Sequence, residues 1–300
     1  MSALLDAARA LEQVPGWHGR VQSVEPLEGG ITNRNYRVEV DGVRYVMRVP
    51  AERGDLLGID RQAEHDASLL AASVGVGPEV VAFVSPPGLL ITRFIEGVPV
   101  PADAVRDPRM LARIAEALRR VHAAGRLAAT FSPFRVVEAY ARTAVQHGVT
   151  LPDAFTRARA CAAEIERALP AHPPRFCHND LLNANFIDDG RLIRIVDWEY
   201  AGMGDPFFDF GNFAVNHALD EAQEQNLLDA YFGEVSAAAP AHLRLMRIMS
   251  DFREAMWGLV QQGVSSLDFD FAGYARKHFD RLLEAAADPG FSGWLGACAG

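Results

Sequence analysis

Lysine is almost absent from this chain of 300 residues: Lys277 stands alone among 29 lysines and arginines. Any lysine that a mechanism requires must therefore be replaced, and arginine is the available cation. Cysteine is scarce as well. Cys161, Cys177 and Cys298 are scattered without the spacing of a metal site or a disulfide framework. Free thiols in a cytoplasmic protein are the expectation. Long apolar runs are missing. None approaches the ~18 residues of a membrane-spanning helix, so no membrane insertion is expected. The first residues, MSALLDAARALEQVPGW, carry acids and lack a basic segment followed by a long apolar core, which argues against a secretory signal. Basic charge is in deficit, 29 residues against 39 acidic ones, for a formal net charge of −10. Nucleic-acid binding rests on Lys and Arg neutralising phosphates, so no nucleic-acid partner is expected. An acidic surface is compatible with a small cationic substrate. With 49% hydrophobic residues, the chain has enough apolar material for one large domain or two modest ones.

The polar residues that carry chemistry are concentrated between Phe176 and Asp209, a stretch that holds His178, Asp180, Asn185 and Asp197. A short apolar run, Asn185-Phe186-Ile187, leads into Asp188-Asp189-Gly190, and a second, Leu192-Ile193-Arg194-Ile195-Val196, leads out. Asp-Gly between two apolar runs predicts a β-hairpin, because the turn needs residues that tolerate positive φ. A hairpin returns the chain to its starting end. Asn185 ahead of the first strand and Asp197 behind the second then open toward the same end, beside Asp180. Two carboxylates and a carboxamide around one small volume suit Mg²⁺, which takes one or two carboxylates together with phosphate oxygens. The string His178-Asn179-Asp180-Leu181-Leu182-Asn183-Ala184-Asn185 also has the spacing of the phosphotransfer loop. In that template an Asp accepts the proton of the substrate hydroxyl, the Asn holds a metal ion, and a second Asp after the hairpin holds the metals. A polar loop beside an ordinary hairpin is the plainer reading. The conjunction of spacing, hairpin and Asp197 weighs against it.

Ahead of this stretch, residues 3–13 suit a short amphipathic helix and Val21 to Pro26 reads extended. Gly29-Gly30-Ile31-Thr32-Asn33-Arg34-Asn35 follows, then alternating Tyr36 to Val40, an Asp41-Gly42 hairpin turn, and Val43 to Val49. A glycine pair between antiparallel strands lets backbone amides approach phosphate closely; alone it is an ordinary turn, and neither a Walker sequence nor a full G-x-G-x-x-G is present. Arg48 lies on the third strand, where the template has lysine. Strand alternation groups it with Arg44 and Val46, so the pattern does not force it inward. Asp60 caps a helix over Arg61 to Ala72, with Ala63, Ala67, Leu70 and Ala71 toward the core and Glu64 beside that face. An Arg48–Glu64 pair would reproduce the strand-to-helix ion pair that fixes the phosphate-binding cation, and arginine forks well onto phosphate and carboxylate.

Val80 to Val84 and Leu89 to Phe94 are predicted strands, and Ile95-Glu96-Gly97-Val98-Pro99 suits a connection between lobes whose backbone faces an adenine edge. Beyond it the chain turns helical. Asp107-Pro108 opens a helix with Leu111, Ile114, Ala115, Leu118, Val121 and His122 on one stripe, ended by Gly125. His122 there reads as a hydrogen-bonded core histidine. Further helices are expected over 153–168, 221–232, 241–262 and 272–286. Trp198, Tyr200, Phe207, Phe208, Trp257, Phe271 and Tyr274 are interleaved with Asp205, Asp251, Glu254 and Asp270. Aromatic faces with carboxylates suit an amine or quaternary ammonium, although each aromatic taken singly, Trp257 excepted, reads as helical core.

Together GGITNRNY, YVMRVP, IDRQAEHDA, ITRFIEG, HNDLLNANF, VDWEYAGMGDPFFDFGNF and the late MWGLVQQ resemble the choline/ethanolamine kinase branch of the aminoglycoside-phosphotransferase-like kinases, especially bacterial choline kinases of the LicA type. The resemblance runs from Gly29 to about Phe279. It implies an α+β, two-lobed protein-kinase-like fold, with an antiparallel-sheet lobe carrying one helix (1–97) and a mainly helical lobe (98–300). It implies ATP with Mg²⁺ and phosphorylation of a small amino alcohol, choline first and ethanolamine next. By motif it makes Asp180 the base, places Asn185 and Asp197 on the metal, and has Asp209 brace the loop. Gly30, Thr32, Asn33, Arg48, Glu64, Phe94 and Ile95 fall to the nucleotide, and Glu199, Tyr200, Glu254, Trp257 and Tyr274 to the acceptor. One departure concerns the acceptor. Eukaryotic choline kinases carry two tryptophans three residues apart in the late helix, whereas here Glu254 stands three before Trp257. Two other readings stay open: phosphorylation of an aminoglycoside or another metabolite, and a nucleotide-binding regulator without catalysis.

Overall fold

The structure is a computed structural model and describes residues 11–27, 33–50 and 53–299. The helix expected over 3–13, and Gly30 and Thr32, lie almost wholly outside these residues. Five strands form an antiparallel sheet in the order β1-β2-β3-β5-β4: β1 (Val21–Leu27), β2 (Asn33–Val40), β3 (Val43–Pro50), β4 (Val80–Val84) and β5 (Leu89–Arg93). Asp41 and Gly42 both take positive φ, 50° and 75°, and Val40 pairs with Val43, the geometry a two-residue hairpin needs. Tyr36, Val38, Val40 and Met47 share a buried face with Leu89 and Ile91, covered by Leu11, Val14 and Trp17.

Helix α1 (Arg61–Ser73) follows the sheet's third strand, and the Asp60 carboxylate caps it by accepting from the amides of Gln62 and Ala63. Its buried stripe is Glu64, Ala67, Ser68 and Ala71. The stripe is rotated from the expected one, so that Glu64 lies on the buried face rather than beside it. Ala67, Ala71 and Val76 join the large core of the helical part of the molecule rather than the small core of the sheet.

That helical part contains α2 (Pro108–His122), α3 (Pro133–Gln146), α4 (Asp153–Ala168), α5 (Pro206–Asn216), α6 (Glu221–Phe232), α7 (Ala239–Val264), α8 (Phe271–Ala286) and α9 (Phe291–Ala299). The 26-residue α7 is buried on nearly every side from Leu243 to Gln261 and carries Asp251, Arg253 and Glu254 into the interior. Helix α5 crosses it closely. A Cβ at Gly211 would lie 2.5 Å from the Met246 carbonyl carbon, so only glycine fits that crossing.

Short strands complete the scaffold: β6 (Val98–Pro99), β7 (Arg175–Cys177), β8 (Phe186–Asp188), β9 (Ile193–Ile195) and β10 (Gly202–Gly204). Strands β8 and β9 form the expected hairpin, pairing Phe186 with Ile195, Ile187 with Arg194 and Asp188 with Ile193. Its loop is four residues, Asp189 to Leu192. The Asp189 carboxylate organises it by accepting the amides of Arg191 and Leu192 at 2.9 and 2.7 Å, and Gly190 takes φ 83°. The architecture is the two-lobed α+β kinase-like one, and no helix among the described residues is long and apolar enough to cross a membrane.

Candidate active site

The loop after β7 is fixed from below by one buried carboxylate. Asp209, in the first turn of α5, accepts the Asn179 amide on Oδ1 at 2.7 Å and the His178 amide on Oδ2 at 3.0 Å. His122 Nε2 reaches the same Oδ2 at 2.9 Å, and its Nδ1 meets the Tyr231 hydroxyl. His122 is thus a hydrogen-bonded core residue that supports the loop from α2. Asn179 takes φ 66°, a turn that aims Asp180 away from its neighbours. His178 is locked by Val196, whose carbonyl takes its Nε2 at 2.9 Å, and its Nδ1 accepts the Asp180 amide at 3.2 Å. Burial pushes its pKa down, which keeps it neutral in that tautomer.

The hairpin closes the site from the side. Asn185 and Val196, at its two ends, are joined by a backbone hydrogen bond of 3.0 Å. Asn185 Nδ2 donates to the Asp180 carbonyl at 2.9 Å. Asp197 follows with φ 69° and accepts Arg48 Nη1 on Oδ1 at 2.6 Å. The same Nη1 donates to Glu64 Oε1 at 2.7 Å. One guanidinium therefore ties β3, α1 and the hairpin together. Burial works against its charge, yet Asp197, Glu64 and Glu199 outweigh that and hold Arg48 above the ordinary arginine range. Arg61 extends the cluster, donating to Glu64 Oε2 at 2.7 Å, Glu199 Oε2 at 3.2 Å and Asn33 Oδ1 at 3.1 Å. Asn33 Nδ2 donates back to Glu199 at 2.8 Å.

A divalent cation fits this donor set. Asp197 gives Oδ1 to Arg48 and Asn185 commits its amide nitrogen to Asp180. Asp197 Oδ2 and Asn185 Oδ1 remain as hard oxygen acceptors at the hairpin mouth.

On the other side of Asp180 lies α7. Arg253 Nη1 donates to Asp180 Oδ1 at 3.0 Å and also to Glu254 Oε1. Glu254 Oε2 accepts the Tyr274 hydroxyl at 2.7 Å, and Trp257 meets Tyr274 edge-on with ring centroids 5.6 Å apart. The Tyr200 ring underlies the Arg253 guanidinium at 4.3 Å. Burial pushes the Asp180 carboxyl up to about 7; Arg253 opposes this, and the charges of Glu254 and Asp197 add to it. Burial also raises Glu254, but Arg253 and Tyr274 prevail and hold it below the usual range.

The expected residues therefore fall into two connected groups. Asn33, Arg48, Glu64 and Asp197 meet on the sheet side, while Asp180, Tyr200, Glu254, Trp257 and Tyr274 meet on the α7 side. Glu199, expected at the acceptor, is joined to Asn33 and Arg61. Phe94 and Ile95 continue β5 into the connection, where the Phe94 amide is already bound to the Arg44 carbonyl at 3.1 Å. That amide is not free for an adenine edge. Two contributors were not foreseen: Arg61, read only as the start of a helix, and Arg253. Charged residues in the midst of the apolar run Met249 to Val260 were the available signal.

Residues 23–245 match the family described as the phosphotransferase enzyme family. A solved choline/ethanolamine kinase family protein from Mesorhizobium loti is 32% identical, with 99% of each chain covered and a TM-score of 0.85. The chain belongs to this family. Human ethanolamine kinase 2 is 28% identical over 314 residues, covering 93% of this kinase and 80% of the human protein. The choline kinase LicA of Streptococcus pneumoniae shares the fold, with a TM-score of 0.80 at 22% identity over 94% of this kinase and 99% of LicA. The enzyme is thus a small-molecule kinase of the choline/ethanolamine type.

Proposed function

We propose that this kinase transfers the γ-phosphoryl group of ATP to the hydroxyl of choline in an Mg²⁺-dependent reaction, with ethanolamine as the second acceptor. One observation supports the reading above the others. Asp180, Asn185 and Asp197 converge at the hairpin mouth, between the Arg48–Glu64 pair and the Glu254–Tyr274 pair. Asn185 and Asp197 are the residues to hold Mg²⁺, which when bound neutralises charge on the phosphates. Asp180 accepts the hydroxyl proton as the acceptor oxygen bonds to the γ-phosphorus and ADP leaves. Arg48 spends Nη1 on two carboxylates and keeps its other N–H donors for phosphate oxygens. Positioning and electrostatics then carry the catalysis. We place the lobe boundary at residue 97, where the connection passes so close to β8 that a Cβ at Gly97 would lie 2.6 Å from the Asp188 carbonyl oxygen.

The choice of choline rests on what is left to bind a cation. Both Glu254 oxygens are engaged, one by Arg253 and one by Tyr274. The Trp257 ring lies beside them, edge-on to Tyr274, and an aromatic ring suits a quaternary ammonium. Initial rates of ADP formation with Mg-ATP and choline, ethanolamine or kanamycin test this. Choline is expected to give the highest kcat/KM, ethanolamine the next, and kanamycin none. A higher value for ethanolamine reverses the order of acceptors. Turnover of kanamycin alone removes the amino-alcohol reading.

A further inference from the structure

Arg253 is bound unlike two arginines that pair with structural carboxylates. Arg281 turns Nε and Nη2 onto the Asp251 carboxylate, and Arg113 places Nη1 and Nη2 on the two oxygens of Asp188. Both use the planar fork that makes arginine a good carboxylate partner. Arg253 does not. Its side chain is 2% exposed, and Nη1 alone carries Asp180 and Glu254. Nε and Nη2 are buried without a hydrogen-bond partner among the described residues. Native proteins rarely leave buried donors unpaired without a reason. Here the placement serves the two carboxylates rather than the arginine, and the Tyr200 ring supports the guanidinium at 4.3 Å.

We propose that Arg253 is a positioning residue for phosphoryl transfer: Nη1 pins Asp180 Oδ1, turns Oδ2 toward the acceptor hydroxyl, and locks that orientation to Glu254 and Tyr274 of the acceptor pocket. The orientation of the base and the shape of the pocket become one network. For its choice of acceptor the proposal rests on the amino-alcohol reading; for its logic it does not.

The test is kinetic. Arg253→Met is expected to lower kcat by about 10²-fold, the scale of a misplaced reacting group, with KM for ATP within threefold. Arg253→Lys still offers one nitrogen between the carboxylates and is expected to recover at least tenfold of the loss. Glu254→Gln keeps the Asp180 contact and is expected to raise acceptor KM severalfold with kcat within threefold. A merely structural arginine would lower thermal stability in the Met variant and leave kcat within threefold, and that result overturns the proposal. A Lys variant no faster than Met overturns it too. If the Met variant fails to fold, Arg253→Lys and Asp180→Asn decide: Lys must retain at least a tenth of wild-type kcat, and a rate as low as that of Asp180→Asn refutes it. If neither amino alcohol is turned over, basal hydrolysis of Mg-ATP provides the same kcat comparison of the Met and Lys variants, so the two readings fail separately.

Discussion

Replacing Asp209 by Asn isolates the brace beneath the proposed base while changing almost no volume. The wild-type carboxylate is 0% exposed and accepts three donors: the amides of Asn179 and His178 and the ring of His122. A carboxamide keeps one accepting oxygen. Its best placement keeps that oxygen on His178 and His122, which turns the amide nitrogen onto the Asn179 N–H, donor against donor. Two buried groups are then unpaired, at about 1–3 kcal/mol each, and the surviving bonds lose their charge assistance. A destabilisation of about 4 kcal/mol follows, or a fall in Tm on the order of 10 °C. The strained turn at Asn179 must shift, and Asp180 shifts with it, lowering kcat by about 10²-fold. The Arg48–Glu64 pair is untouched, so KM for ATP should stay within threefold. Thermal unfolding and initial rates on the same preparation decide. A variant that loses stability yet keeps kcat within threefold of wild type refutes the idea that this carboxylate governs the placement of Asp180.

Arg48→Met should lower kcat/KM for ATP by about 10²-fold. Arg48→Lys should lose at least tenfold less, because a single nitrogen makes both carboxylate contacts; equal losses in steady-state assays would show that the fork itself is needed. Trp257→Ala should raise acceptor KM by roughly 3- to 30-fold, the range of a cation–π contact, with kcat little changed; an unchanged KM moves the acceptor elsewhere. His217 supplies a pH dependence. Burial pushes its pKa down from 6.5 to about 4, so the unfolded chain takes up its proton first as pH falls. Stability from this group is complete above pH 6.5 and is lost between there and pH 4, by about 2 kcal/mol at pH 5. In urea titrations at pH 8 and pH 5, the gap between wild type and His217→Gln should narrow by that amount; a constant gap contradicts it.

Much of the hairpin and the loop before it was legible because both are local. Asp188-Asp189-Gly190 demands a turn, and the spacing of Asp180 and Asn185 follows from the loop that joins them. The length of the turn was not legible, since the Asp189 side chain rather than the backbone alone closes it. Helix α3 went unforeseen although Pro133 opens it and Val137, Tyr140, Ala141 and Ala144 line its buried face. Helix α5 was missed because Phe207, Phe208, Phe210 and Phe213 are buried all round it, which erases periodicity. Strand β10 is Gly-Met-Gly. Its glycines are there because the Phe131 backbone passes so near that a Cβ at Gly204 would sit 2.9 Å from the Phe131 oxygen, a contact invisible to propensity. The inward turn of Arg48 also escapes strand alternation. It is fixed by Asp197, 149 positions away, as Arg253 is fixed by Asp180, 73 away.

Helix α1 is stapled to the hairpin. Ile195 and Arg194 both donate to the Val76 carbonyl, and Arg194 also reaches Gly77. Swinging this helix outward would tear Ala67 and Ala71 from the larger core and strip those carbonyls of their partners. The Arg48–Glu64 ion pair is therefore anchored at its helix end, and displacing that helix would cost core packing as well as hydrogen bonds.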